Sequence, residues 1–400
     1  METSSHPRTS IPMPTPATGG RDKAVIPIRP MSGAIAARLI AAPVLAKLPV
    51  AVPTVALRAP DPLDETRWHH HVIGGRPYRI AQPVTFTPYA SAMPCSARCR
   101  FCSETLLETV APRPASALRP GAGYFDQLRD ALRQLAGVPM SYSLSGLETT
   151  DDPDWMCRML DLLERHAEVS PVHNRVLYTN GAGLAHPAHG RALVDRFVDF
   201  GLDWVELSRH HPDASVNQSI MRFRPGVAVQ YGERFSGMLE DLVARLPVKL
   251  VCIVQEGGIS TAQDVMRYLA WAADLGVASV VFREFSQLDD GYRDNVTSRY
   301  IASTRVPMAD LLGSCLDRPD FLDRFAFEQV TEGYYFWNVV GRHGSMRVTF
   351  EASDYARMHA QHGSGDVYKL VFHANGNLCA DWNPERHVLF AAARQEARHG

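Results

Sequence analysis

The sequence has 400 residues, of which 46% are hydrophobic and 21% are charged. These fractions are ordinary for a folded globular protein and exclude a largely disordered chain, and the length suits one large domain or two ordinary ones. With 41 basic and 43 acidic residues the formal net charge is −2, so net charge gives no support to a dominant nucleic-acid-binding role.

The N-terminal segment over 1–62 contains eleven of the 28 prolines. Because proline lacks a backbone N–H donor, residues 1–30 are predicted to form a disordered or extended leader. Residues 33–58 are apolar, but charges and prolines interrupt them, and the longest uncharged run is Leu48–Leu57. That run is about half of the roughly 20 residues that a membrane-spanning helix needs. The sequence therefore predicts a soluble extension over 1–62, no membrane segment and a cytoplasmic location.

From about residue 80 onwards, strand-like and helix-like segments alternate. Short apolar runs predict strands at Val84–Thr87, Tyr142–Ser145, Arg175–Tyr178, Trp204–Leu207, Lys249–Val254 and Ala278–Phe282. Amphipathic patterns predict the intervening helices at Tyr124–Leu135, Trp155–Leu163, Leu193–Val198, Phe235–Leu246 and Ala262–Leu275. This alternation predicts parallel strands in right-handed βαβ units, arranged as a doubly wound sheet or an incomplete barrel over 80–288. In both arrangements the chemistry gathers at the C-terminal ends of the strands.

After residue 285 the alternation fades. Met308–Leu316 is a predicted helix, and Tyr368–Phe372 with Leu378–Trp382 form a predicted hairpin across the favoured turn pair Asn375-Gly376. Residues 289–400 are therefore predicted to be an α+β appendage that caps the substrate end of the fold.

Three of the seven cysteines lie within eight residues, at Cys95, Cys99 and Cys102, directly after the first predicted strand of the body. Three thiolates on one loop can hold one metal centre and leave a coordination position free for chemistry. A structural zinc site is the alternative, but it needs a fourth ligand, and the three histidines at 69–71 lack ligand-like spacing. The odd, sparse cysteine count is no disulfide framework and fits a reducing compartment.

The Cys-x3-Cys-x2-Cys spacing, with Phe101 before the last cysteine, resembles the radical S-adenosylmethionine (SAM) superfamily. The resemblance implies a partial (β/α)6 barrel, one [4Fe-4S] cluster held by Cys95, Cys99 and Cys102, and SAM bound at the fourth iron. One-electron transfer would then cleave SAM to methionine and a 5′-deoxyadenosyl radical, with an electron donor such as flavodoxin or ferredoxin. The other four cysteines stand alone in the sequence, so a single cluster is predicted.

Two motifs at the next strand ends resemble SAM-binding elements of the superfamily. Gly146 and Glu148 match its Gly-Gly-Glu stretch, which binds the SAM amino group, while Leu147 departs from it. A backbone carbonyl accepts a hydrogen bond whatever the middle side chain is. The alternative is a strand-end turn with a solvated glutamate. Thr179, in a Thr-Asn-Gly sequence, resembles the motif at the third strand end, although this tripeptide is also a turn signal.

The fourth strand end carries Ser208, Arg209, His210 and His211. Ser208 stands where the superfamily places a ribose contact, and Arg209 is a candidate for a bidentate pair with the SAM carboxylate. The two histidines are candidates for proton transfer or substrate binding, and the alternative is that one of them caps the following helix.

Lys249 and the pair Arg283 and Glu284 resemble strands of the molybdenum-cofactor GTP cyclase branch, in which an asparagine stands where this chain has Cys252. Because buried charges must be paired, charged strand ends predict a polar mouth. The candidate catalytic residues are Arg209, His210, His211, Lys249, Arg283 and Glu284.

The resemblance and the polar mouth together imply a radical SAM enzyme that abstracts hydrogen from a small polar metabolite, of sugar or nucleotide type, in a biosynthetic pathway. A peptide-modifying radical SAM enzyme and a non-catalytic metal-binding interaction protein are the alternatives. The absence of a basic patch and of a membrane segment predicts neither a nucleic acid nor a membrane as partner.

Overall fold

The computed structural model describes residues 29–30, 55–57, 62–89, 91–107, 114, 117–288 and 291–392. Most of the predicted N-terminal extension lies outside these residues. The strands are β1 (Arg29–Pro30), β2 (Val55–Leu57), β3 (Trp68–Ile73), β4 (Arg76–Tyr89), β5 (Met140–Leu144), β6 (Val172–Thr179), β7 (Trp204–Ser208), β8 (Val248–Val254), β9 (Ser279–Glu284), β10 (Phe325–Glu332), β11 (Phe336–His343), β12 (Met346–Ser353), β13 (Val367–His373), β14 (Asn377–Cys379) and β15 (Val388–Ala391).

Helices occur between the predicted strands, as expected, and further helices follow in the C-terminal region. They are α1 (Tyr124–Gln134), α2 (Pro153–Ala167), α3 (Gly190–Phe200), α4 (Ala214–Met221), α5 (Gly232–Val243), α6 (Ala262–Asp274), α7 (Val296–Thr304), α8 (Met308–Leu316), α9 (Pro319–Leu322) and α10 (Tyr355–His362). All six predicted strands and all five intervening helices are confirmed, and their bounds agree within a few residues except that β4 begins eight residues before the predicted strand. Helix α4, between β7 and α5, has no counterpart in the prediction.

All the strands belong to one sheet, whose centre is parallel. Strands β4 to β9 pair with their neighbours in chain order, and every pair is parallel. The helices α1 to α6 lie between consecutive strands along the chain, as βαβ units require. The expected partial barrel of parallel strands is therefore confirmed.

Helix starts have identifiable capping groups. The Asp152 carboxylate accepts a hydrogen bond from the Trp155 N–H at 3.0 Å, and Pro153 stands in the first turn of α2, where its missing donor costs nothing. Thr261 and Asp264 form a reciprocal capping box at the start of α6. These local signals fix the positions at which the helices begin.

The sheet has two different faces because side chains alternate along each strand. On β7, Val205 and Leu207 join the apolar core that includes the buried faces of the helices. Glu206 lies between them in sequence and therefore points to the opposite face, the barrel interior. The other parallel strands follow the same rule, so their polar residues, such as Lys249 on β8, share that interior.

The C-terminal region contributes strands to the same sheet as the predicted core. Strand β12 pairs parallel with β9, with Val348 opposite Val280, and β13 pairs parallel with β4, with Leu370 opposite Phe86. The parallel run therefore has eight strands, in the order β13-β4-β5-β6-β7-β8-β9-β12. The sequence pattern did not reveal β12 because it is reached through the antiparallel meander β10-β11-β12, which lacks strand–helix alternation.

Helix α10 connects β12, at one edge of the parallel run, to β13, at the other edge. The predicted hairpin is confirmed as β13 and β14, which pair antiparallel. Its turn contains Gly376 at φ +84, a conformation that glycine adopts readily. On the far side of the sheet, β2 pairs parallel with β10. In the described part of the chain no helix is both long and apolar enough to span a membrane.

Candidate active site

The cysteine loop, Cys95–Cys102, follows the C-terminal end of β4 and docks on the end of α4. The Arg98 N–H donates to the Met221 carbonyl at 3.1 Å, and the Arg100 N–H donates to the Ile220 carbonyl at 3.0 Å. The last carbonyls of a helix lack partners within the helix, so they are free to accept these bonds. The helix that the sequence pattern missed therefore holds the loop in place.

Ser96 is held by the neighbouring strand ends. Its N–H donates to the Asp151 carboxylate at 2.6 Å, and its hydroxyl accepts from the Asn180 amide at 3.1 Å. The same amide lies 3.9 Å from the Cys95 sulfur. Burial raises the pKa of Asp151, and the bonds from Ser96 oppose that effect. The ends of β5 and β6 thus position the loop from one side, while α4 positions it from the other.

The three thiols of the loop are free of disulfide bonds and desolvated. Burial raises the pKa of Cys95 to about 12, with a further contribution from the charge of Glu148. Burial also raises the pKa values of Cys99 and Cys102, and the neighbouring thiols raise that of Cys99 further. Such thiols become thiolates only when a cation compensates their charge. This donor set fits an iron–sulfur cluster, whose irons supply that charge.

Glu148 is buried behind the loop, and hydrogen bonds saturate its carboxylate. It accepts from the Thr150 hydroxyl at 2.5 Å, from the Thr179 hydroxyl at 2.7 Å and from the Asn180 N–H at 2.6 Å. Burial and the nearby charge of Asp151 raise its pKa. Glu148 and Thr179 therefore bond to each other and tie the ends of β5 and β6 together.

Gly146 begins the turn that leads to Glu148. Its φ is +110 and that of Leu147 is +52, so both residues lie in the left-handed region that favours glycine. A Cβ atom added at Gly146 would lie 2.5 Å from Cδ2 of Tyr89, the last residue of β4. The turn therefore requires glycine at 146 both for its backbone conformation and for close packing on the Tyr89 ring.

Phe101 and His210 meet at the mouth of the barrel. Their ring centroids are 4.9 Å apart in an edge-to-face arrangement, and Phe101 also packs on Phe285 after β9. His210 Nδ1 accepts from the Ile253 N–H at 3.0 Å, which places the proton of a neutral ring on Nε2. Burial, together with the charges of Arg209 and Arg283, lowers the pKa of His210 to about 3. His210 is thus a neutral donor beside the cysteine loop.

Ser208, Arg209 and His211, the other residues predicted at the fourth strand end, lie in different surroundings from His210. Arg209 lies over the ring of Phe235 on α5, with 4.4 Å between the guanidinium carbon and the ring centroid, and donates to the His211 carbonyl at 3.0 Å. Its guanidinium is therefore packed in the helix layer, away from the barrel interior. His211 Nδ1 accepts from the Asp213 N–H at 3.0 Å, next to the start of α4. Ser208 has no side-chain hydrogen bond to any of the described residues.

A charged network fills the barrel interior below the mouth. Arg283 donates to Glu351 on β12 at 2.6 Å and to Glu206 on β7 at 3.3 Å. The Nζ atom of Lys249 lies 3.6 Å from the ring centroid of Trp204, and Lys249 is opposite Glu206 in the β7–β8 register. The structure thus brings Lys249 and Arg283 together with two carboxylates that the sequence analysis did not single out.

Glu284, although adjacent to Arg283, points to the other face of β9. Its carboxylate accepts from the Met308 N–H at 2.7 Å and pairs with Arg305. These contacts attach the start of α8 to the sheet. Burial raises the pKa of Glu284, and both partners oppose the effect. Its contacts are therefore structural, and it lies apart from the interior network.

Two buried groups near the cysteine loop also escaped the sequence analysis. Glu104 follows Cys102 in the next turn, and Lys369 lies on β13 with Nζ 3.7 Å from the ring centroid of Trp382. Burial lowers the pKa of Lys369 to about 7 and raises that of Glu104 to about 7, and each charge opposes the shift of the other. The sequence feature that could have identified Lys369 is a lysine inside the apolar run of β13.

Neither a family model nor a curated protein matches this sequence. Among solved structures, Streptococcus suis SuiB bound to the precursor peptide SuiA has a TM-score of 0.47 and 14% identity, covering 76% of this chain and 60% of that one. The chain therefore spans about three fifths of the length of SuiB.

Two further solved structures also match. Escherichia coli coproporphyrinogen III oxidase (HemN), a radical SAM enzyme, has a TM-score of 0.40 and 11% identity, covering 64% of this chain and 65% of that one. Native anSMEcpe with bound AdoMet and Cp18Cys peptide has a TM-score of 0.36 and 15% identity, covering 50% and 49%. The function is therefore inferred from the residues of this chain.

Proposed function

We propose that this chain is a radical SAM enzyme in which Cys95, Cys99 and Cys102 hold one [4Fe-4S] cluster and which acts on a small polar metabolite. The observation that carries the proposal is the position of the cysteine loop, whose desolvated thiols lie at the carboxyl ends of parallel strands beside Gly146 and Glu148. When bound, the cluster and SAM supply a radical that abstracts hydrogen, and the protein supplies orientation and exclusion of water.

The turn at Gly146 and Leu147 is the proposed site for the SAM amino group. Because Glu148 is already saturated by hydrogen bonds, its role is to position this turn and the end of β6. The backbone carbonyls of the turn are the acceptors that we assign to the ammonium group. The Ser208 hydroxyl, at the end of β7, is the proposed ribose contact.

The substrate is proposed to lie over the interior network of Arg283, Glu206, Glu351 and Lys249. A set of paired cations and carboxylates favours a ligand rich in hydroxyl groups or carrying an anion, such as a sugar or a nucleotide. The neutral His210 ring supplies a hydrogen-bond donor between this network and the cysteine loop.

Anaerobic reconstitution with iron and sulfide tests the proposal. The reconstituted protein is expected to form 5′-deoxyadenosine from SAM when supplied with a reductant or a flavodoxin or ferredoxin system. Cys99→Ser should abolish this activity, whereas Cys157→Ser, which changes a half-buried cysteine on α2, should retain it. A protein that holds zinc at the loop and forms no 5′-deoxyadenosine would be a non-catalytic metal-binding protein.

The substrate class is tested by adding sugars, nucleotides and peptides separately to the same assay. We expect a sugar or nucleotide to accelerate formation of 5′-deoxyadenosine, and Arg283→Gln to reduce that acceleration. Acceleration by peptides alone would overturn the proposed substrate class while leaving the SAM chemistry intact.

A further inference from the structure

A second group of ligand-type side chains, none of them from the cysteine loop, lies where α10 meets the segment after β14. His359 and His362 are three residues apart on α10, and Asp381 follows β14. Each of the three offers one ligand atom, and these atoms all lie within 4.8 Å of one another. We call these three residues the His–Asp cluster. Within the described residues this spacing of ligand atoms suits a metal ion.

The polar atoms of the His–Asp cluster are not fully satisfied. His362 is only 2% exposed, and its Nδ1 is buried without a hydrogen-bond partner in the structure. Its other nitrogen, Nε2, lies 3.3 Å from the Tyr334 hydroxyl. A buried ring nitrogen without a partner is costly unless something occupies the space beside it. The unpartnered Nδ1 is therefore an observation independent of the clustering.

The negative charge of the buried Asp381 carboxylate also has few positively charged partners in the described part of the chain. The residue is 4% exposed, and Oδ1 accepts from the Asn383 N–H at 2.9 Å. Among the described residues, its one ion-pair contact is with His387, whose Nε2 lies 3.7 Å from Oδ2 and is charged only when protonated. A buried carboxylate surrounded by imidazoles and lacking a lysine or arginine partner is an environment that a cation would stabilise.

The donor types select the class of ion. Two imidazoles and one carboxylate suit zinc and other divalent first-row metals, whereas magnesium and calcium prefer oxygen ligands throughout. The Tyr292 hydroxyl lies 2.9 Å from His359 Nε2, and Tyr334 contacts His362, so each ring has an outer partner of the kind that orients metal-bound histidines.

We propose that His359, His362 and Asp381 bind a divalent first-row transition metal, with zinc as the expected ion. The ion links α10 to the hairpin that begins with β13. Because α10 is the segment that crosses from one edge of the parallel run to the other, the ion joins the two edges across the open side of the barrel. Its ligands are separate residues from the cysteines that are proposed to hold the [4Fe-4S] cluster.

The test uses the full chain carrying Cys95→Ser, Cys99→Ser and Cys102→Ser, so that the cysteine loop cannot bind the probe. This protein is stripped with a chelator and titrated with zinc in competition with a chromogenic chelator, and with cobalt, whose visible spectrum reports its ligand geometry. We expect saturable binding of zinc and a cobalt spectrum typical of a nitrogen and oxygen site.

In the same background Asp381→Asn and His359→Ala should each weaken zinc binding by more than about tenfold, because loss of outer-shell partners alone costs roughly 10–100-fold. His343→Ala, which changes a half-buried histidine on β11, should leave zinc affinity unchanged. Circular dichroism checks that the variants fold. Equal zinc affinity in the parent and in folded Asp381→Asn, or an absence of zinc binding in the parent, would overturn the proposal.

Discussion

The Glu148 carboxylate accepts a hydrogen bond from the Asn180 backbone N–H at 2.6 Å, which joins the end of β5 to the end of β6. The Asn180 side chain in turn donates to Ser96 in the cysteine loop. A residue that the sequence pattern presents as a cofactor contact is thus the centre of a network that sets the position of the cysteine loop.

Glu148→Gln is expected to lower the free energy of unfolding by about 1–3 kcal/mol. The carboxylate now accepts hydrogen bonds from surrounding N–H and O–H groups, and the glutamine NH2 group would replace one of these accepting oxygens with a donor. It should also weaken SAM binding by displacing the neighbouring turn. Chemical denaturation and SAM binding measure the two effects. Glu168→Gln, at an exposed glutamate after α2, should change neither. Unchanged stability in Glu148→Gln would contradict the role assigned to this network.

Gly146→Ala is expected to be more destabilising than an alanine substitution at an unhindered glycine. The new Cβ would clash with the Tyr89 ring in addition to straining the backbone, and overpacking of this kind costs about 1–3 kcal/mol. Gly137→Ala provides the matched control, since Gly137 has φ +86 but no atom within 4 Å of the added Cβ. The difference between the two unfolding free energies isolates the clash, and equal values would rule it out.

Arg283→Gln removes the cation that bridges Glu206 and Glu351 in the barrel interior. A loss of about 1–3 kcal/mol in unfolding free energy is expected, because these pairs are partly buried and removing one partner of a fully buried pair costs about 3–5 kcal/mol. Arg299→Gln, which breaks an exposed pair with Asp294, should cost less than about 1 kcal/mol. If the two variants are equally stable in thermal unfolding, the interior network does not hold the strands together.

The low pKa of His210 predicts a pH-dependent contribution to stability. Its folded-state pKa of about 3 lies below the ordinary value of 6.5, so only the unfolded chain takes up this proton between those values. Stability is therefore present above about pH 6.5 and falls as the pH decreases, by at most about 1.4 kcal/mol per pH unit.

His210→Asn keeps a hydrogen-bond acceptor for the Ile253 N–H but removes the titration. The difference in unfolding free energy between the parent and this variant should shrink as the pH falls from about 6.5 towards 4. Urea denaturation at a series of pH values measures it. A difference that stays constant with pH would show that His210 does not titrate in this way.

The sequence predicts the fold well where the strands alternate with helices. Apolar runs such as Lys249–Val254 mark strands that are covered by helices, and their pattern survives in the structure. Strand β12 was not predicted from the sequence, because it is reached through antiparallel hairpins and these carry no strand–helix alternation. Helix α4, which holds the cysteine loop, was also not predicted. Its segment is short, and its apolar residues show only a weak helical periodicity.

The candidate site was predicted unevenly for a similar reason. Motif spacing located the cysteine loop and the turn at Gly146, because both depend on local sequence. The face to which the Arg209 side chain points depends on whether side chains still alternate past the end of β7. There they do, so Ser208 and Arg209 point to opposite faces of the sheet. Glu351 joins Arg283 across a sequence separation of 68 residues, and no local pattern signals that contact.

The pairing of β4 with β13 also matters for the order in which the chain is made. Ile80 lies opposite Val367, so the strand that leads into the cysteine loop acquires this neighbour only after β12 and α10 have been synthesised. Until then a nascent chain presents the unpaired edge of β4, a template for incorrect strand association. Synthesis of β13 is therefore the event that protects the edge of the barrel nearest the cysteine loop.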